Sequence, residues 1–73
     1  MAHSELEAAR KAAFKVAEEK GYSPDSIDFR TFMNTRGRDY IALFKMSDGS
    51  NLYVEFSMIY DPDFDFSLCK SIW

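Results

Sequence analysis

The stretch Arg38 to Tyr60, R-D-Y-I-A-L-F-K-M-S-D-G-S-N-L-Y-V-E-F-S-M-I-Y, decides the fold. Apolar side chains alternate with period two on both sides of Asp48-Gly49, the signature of two half-buried strands joined by a hairpin. In the first run, Arg38 to Met46, Tyr40, Ala42, Phe44 and Met46 oppose Ile41, Leu43 and Lys45. In the second, Asn51 to Tyr60, Leu52, Val54, Phe56, Met58 and Tyr60 oppose Tyr53, Glu55, Ser57 and Ile59. Asp-Gly is the strongest hairpin signal in the chain, because the favoured turn needs positive φ at its two central positions.

Working outward, Ile27 to Asn34 alternates as well, with Ile27, Phe29, Thr31 and Met33 on one side, and Arg36-Gly37 supplies a turn. Upstream the period changes. Leu6, Ala9, Ala13, Val16 and Ala17 share one face of a helix, with Phe14 at its edge. Ser4 and Glu7 form a capping box. Gly21 fits the left-handed position after the last turn, Tyr22 can fold back on Ala17, and Pro24 prevents continuation. The spacing predicts a helix from about Ser4 to Lys20. Downstream, Asp61-Pro62-Asp63 breaks the third strand. Phe64, Phe66, Leu68 and Ile72 then alternate with Asp65, Ser67, Cys69 and Ser71, a fourth strand. The expected fold is α+β: one N-terminal helix packed on a three- to four-stranded antiparallel meander.

A chain of 73 residues allows one domain, residues 1–73. At this size only about 60% of the unfolded surface is buried, so the core must be dense in apolar side chains. It is: 47% of residues are hydrophobic, with seven Phe, four Tyr and one Trp, which argues against disorder. No charge-free stretch approaches the ~18 apolar residues of a membrane span. Glu5, Glu7, Arg10 and Lys11 stand where the apolar region of a secretory leader would lie, so the expected location is cytoplasmic. The net charge of −3 is uneven: residues 1–45 carry +1 and residues 46–73 carry −4. An acidic half disfavours phosphate backbones, so neither nucleic acid nor membrane is the expected partner.

Catalytic chemistry is poorly supplied, and no enzyme is expected. His3, the single histidine, precedes the helix, so no Cys/His or Ser/His nucleophile pair can be assembled in the body of the fold. Cys69 excludes an internal disulfide and sits in an alternating apolar run, where a thiol is more often inert. Glu55 with a downstream Asp could do acid–base work, but a chain this short has little room for a pocket of ~300 Å³ or more. Asp61, Asp63 and Asp65 open like a calcium loop. The position that needs Gly is Phe66 and the one that needs Glu is Ile72, so no metal is expected. The three glycines mark turns, and no cofactor loop exists.

Two surpluses remain. One helix covers one face of the sheet, yet Ile41, Leu43, Tyr53, Ile59 and Trp73 belong to the other, a candidate contact for another protein or for a homodimer. The acidic-aromatic segment Asp61, Asp63, Phe64, Asp65 and Phe66 is a second candidate, suited to a basic groove. The partner-binding residues expected from sequence are thus Asp61, Asp63, Asp65, Phe64, Tyr53, Ile59 and Trp73.

The order helix, strand, Gly turn, strand, Asp-Gly hairpin, strand, Pro loop, strand resembles the cystatin family over roughly Ala9 to Leu68. Phe29, Gly37 with Tyr40, Asp48-Gly49, Leu52-Tyr53 and Pro62 carry the resemblance. It implies a sheet wrapped on one helix and, in the family, two hairpin loops that enter the cleft of papain-like cysteine proteases. The family's Q-x-V-x-G loop corresponds to Met33-Asn34-Thr35-Arg36-Gly37, which keeps only the Gly, and its Pro-Trp loop corresponds to Pro62-Asp63. The closest rival topology is a PepSY-like helix with three strands. The expected function is a small non-enzymatic protein-binding or inhibitory module that masks a partner, of the kind phage and mobile elements use against host factors. The alternatives are a cystatin-like cysteine-protease inhibitor and a small ligand-binding domain or enzyme.

Overall fold

The structure, a computed structural model, describes residues 5–58 and 70–71. One helix, α1 (Glu5–Glu19), precedes a short 3₁₀ turn (Pro24–Ser26) and the strands β1 (Ile27–Arg36), β2 (Asp39–Met46) and β3 (Asn51–Ser57). These form an antiparallel meander, and Lys70–Ser71 (β4) pairs with the Phe56–Ser57 end of β3. The rest of the expected fourth strand, Phe64 to Ile72, lies outside the described residues, as does Ser4 of the expected capping box.

The helix ends as its sequence dictates. The Tyr22 amide donates to the Ala17 carbonyl at 3.1 Å and the Gly21 amide to the Glu18 carbonyl at 2.9 Å. Gly21 takes φ +98°, which a side chain would resist. This pair of bonds satisfies carbonyls left open by the last turn and folds Tyr22 back onto the core.

Helix and sheet are complementary in size. The buried stripe of α1 is Ala8, Ala9, Ala12, Ala13, Val16 and Ala17. Small side chains let the helix axis approach the sheet closely, and the sheet fills the space with rings. Phe44 lies edge-on to Phe14 at 5.0 Å and to Phe29 at 5.6 Å; Phe29 continues to Phe32, Phe32 to Tyr40, and Tyr40 stacks on Phe56 at 5.8 Å. Edge-to-face and offset pairs at these distances contribute about 0.5–1.5 kcal/mol each beyond burial. Leu6, expected in the stripe, is exposed instead. Ala8 and Ala12, on the other side of the stripe from Leu6, are buried in its place.

The register of β2 and β3 is Phe44 opposite Leu52, Ala42 opposite Val54 and Tyr40 opposite Phe56. Opposed residues share a face, so all six point at the helix and are buried. The connecting loop holds three residues, Ser47 to Gly49, not the two-residue Asp-Gly turn expected. Met46 donates to the Ser50 carbonyl at 2.8 Å, Gly49 donates to the Met46 carbonyl at 2.9 Å, and Gly49 takes φ +90°. A turn followed by one residue of positive φ is the usual three-residue hairpin loop. The reason is parity. Even-numbered residues of both strands must face the core, and only an odd loop allows that.

The edge strand β1 departs further from expectation. It runs to Arg36, and the turn is Gly37-Arg38. Its pairing shifts by one residue at Arg30 and again at Thr35, the two extra residues of β-bulges. Before Arg30 the core face is Ile27 and Phe29. After it the core face is Phe32, opposite Ala42. Thr31 and Met33, expected beside Ile27 and Phe29, therefore face outward. Asn34 Nδ2 pins the second bulge by donating to the carbonyls of Gly37 (3.0 Å) and Asp39 (2.8 Å), and Thr35 Oγ1 also donates to the latter.

Candidate functional site: the open face of the sheet

The same pairings that bury one face of the sheet define the other. Its central row is Thr31, Leu43 and Tyr53, each opposite the next. One row along lie Met33, Ile41 and Glu55; one row the other way lie Asp28, Lys45 and Asn51. Within the described residues no helix or strand crosses these rows, since α1 packs on the opposite face. Tyr53 is 53% and Met33 60% exposed, and Ile41 and Leu43 between them are half-buried. Four apolar side chains on adjacent positions make a contiguous patch, unlike the scattered exposed residues common on any surface.

Charge frames the patch. At one end Lys45 lies opposite Asp28, whose carboxylate accepts from Arg30 at 3.1 Å. At the other Glu55 adjoins the pair Arg36 and Asp39. Lys70, opposite Ser57, shares the Asp39 row, so the first end holds two cations with one anion and the second two of each.

Of the residues expected to bind a partner, Tyr53 is on this patch. Asp61, Asp63, Asp65, Phe64, Ile59 and Trp73 lie outside the described residues, as do His3 and Cys69. Met33 and Thr31 were missed by alternation alone. Plain pairing from the Gly37-Arg38 turn would put Met33 opposite Ala42 on the core face; the bulge at Thr35 moves it opposite Ile41, and the bulge at Arg30 brings Phe29 back to the core.

Two concavities also occur. An open groove of about 550 Å³ runs beside α1, lined by Arg10, Lys11, Phe14, Lys15, Glu18 and Pro24, with the Arg10 guanidinium 5.4 Å from the Phe14 ring centre. It is larger than expected for so short a chain, but it is a surface trough, not an enclosed cavity. A smaller one, about 240 Å³, lies at the end of the sheet beside Asp25, Ile27 and Met46. Among the described residues no three His, Cys, Asp or Glu side chains converge as metal ligands. Nor is any helix among them long and apolar enough to cross a membrane.

The fold class is thus a small α+β domain, one helix on an antiparallel meander. No protein-family model matches the chain, and no curated protein or solved structure matches it either.

Proposed function

We propose that the chain is a non-enzymatic protein-binding module that masks a partner by laying the outer face of its sheet against it. The observation that supports this is the patch itself: Met33 and Tyr53, each more than half exposed, border half-buried Ile41 and Leu43. Burying apolar area of this kind is the main driving force of protein association. A sheet held by a buried aromatic row presents its outer side chains on a rigid base, so little ordering entropy opposes binding. A photo-reactive phenylalanine analogue at position 53, against the same residue at position 15 on the helix, tests the reading in the producing cell. Discrete adducts from position 53 and none shared with position 15 are expected. No adduct from position 53, or the same adducts from both, overturns it.

A further inference from the structure

The outer face is complementary to itself. Lys45 lies one row to one side of the Leu43 row, and Glu55 lies one row to the other side. Rows on one face are about 6.6 Å apart, being two residues along a strand, and neighbouring strands are about 4.8 Å apart. Consider a two-fold axis lying along the Thr31–Leu43–Tyr53 row, in the plane between two copies. It keeps each strand's lateral position and reverses position along the strand. Leu43 and Tyr53 then meet their own counterparts, and Lys45 of each copy comes over the Ile41–Glu55 row of the other, twice by symmetry.

The alternative route to self-association, pairing along the free edge of β1, is obstructed. Its bulges at Arg30 and Thr35 interrupt the row of ladder groups, and Asp28, Arg30 and Arg36 put charge along it, both standard means of blunting an edge. Among the described residues the face is open where the edge is obstructed.

We propose that the occupant of the outer face is a second copy of this chain, in a two-fold, face-to-face dimer held by Leu43 and Tyr53 and oriented by reciprocal Lys45–Glu55 pairs. This rests on the reading of the face as the binding surface. Three strands of seven residues offer a flat area of roughly 330 Å². That is below the ~800 Å² per partner of a standard interface, so the dimer is a weak one. Like charges brought together across an interface oppose association, which makes charge reversal diagnostic.

Sedimentation equilibrium of the full chain from micromolar to millimolar concentration tests the proposal. The wild type is expected to dimerise within that range. Lys45→Glu or Glu55→Lys should each weaken association at least ~10-fold, and the double reversal should restore it to within ~3-fold of wild type. Both positions are exposed, and circular dichroism confirms that the variants fold. A monomer at every concentration, or single reversals without effect, overturns the dimer. Adducts from position 53 to a different protein, with a monomeric wild type, would overturn the dimer while the binding reading stands. A monomer that also gives no adduct would overturn both.

Discussion

The hydroxyl of Tyr40, buried near the start of β2, donates a 2.8 Å hydrogen bond to the carboxylate of Glu5 in the first turn of the helix. The two residues are 35 apart in sequence. The bond ties the helix N-terminus to β2, while the ring beneath stacks on Phe56. Tyr40→Phe keeps the stacking and removes the bond. It should lower stability by about 1 kcal/mol in urea unfolding, with no change in spectroscopic fold. A loss below the error of the fit would show that the bond is exchanged for water at no cost.

Asp48, in the β2–β3 loop, is held away from its ordinary ionisation. Asp48 Oδ1 accepts from the Ser50 hydroxyl at 2.6 Å and from the Ser50 amide at 2.9 Å. These bonds, the hydroxyl's first, hold the acid below the usual carboxylate range. A depressed folded-state pKa adds stability above the unfolded value and loses it as pH falls through the folded one. Stability of the wild type should therefore fall more steeply than that of Asp48→Asn below about pH 4. Parallel curves in acid would remove Asp48 from the loop's energetics.

Loop length is a sharper test of the same hairpin. Gly49→Ala forces a side chain into positive φ and should cost about 1–2 kcal/mol. Deleting Ser47 leaves a two-residue Asp-Gly loop. That would turn Leu52, Val54 and Phe56 to the outer face if β2 holds its place. The expected result is loss of cooperative unfolding in calorimetry, against a modest shift for Gly49→Ala.

Arg30 makes a converse prediction. Removing this one bulged residue restores plain alternation from Ile27 to Asn34 with Ile27, Phe29 and Phe32 still on the core face. The deletion variant should fold, and its straightened edge should gain strand-to-strand association, visible as thioflavin-positive oligomers. A chain that folds and stays free of such oligomers would show that the bulge does not guard the edge.

Of the Q-x-V-x-G loop of cystatins, this chain has only the glycine, Gly37. Titration of papain with micromolar protein should leave its activity unchanged. Stoichiometric loss of activity would move the binding surface from the sheet face to the hairpin end.

What could be read from the residues divides by range. The helix stop at Gly21 and Tyr22, and the core faces of β2 and β3, follow from local signals of a few residues each. The three-residue loop was also within reach. Assigning Phe44 and Leu52 to one face already excludes an even loop, but the pull of the Asp-Gly pair obscures it. The bulge at Arg30 was not legible by alternation, because Ile27, Phe29, Thr31 and Met33 satisfy period two perfectly well. Only the competition of Phe32 and Met33 for a place opposite Ala42 decides between them, and that is a tertiary matter. Met33 entered the candidate site through the two bulges, at Arg30 and Thr35, that set Phe32 opposite Ala42. Leu6 left the core for a related reason: five alanines on α1 fit against the sheet's rings where a bulkier side chain would hold the helix away.

The claim that the outer face is covered in the working protein rests on Met33, whose thioether is freely accessible in the isolated chain. Hydroxyl-radical footprinting measures that access directly, comparing Met33 oxidation in the producing cell with that in dilute purified protein and normalising to Leu6, an exposed residue on the helix. Protection of Met33 by severalfold in the cell is the expected result. Equal oxidation in both settings would mean the face meets only water, and the binding reading would fall.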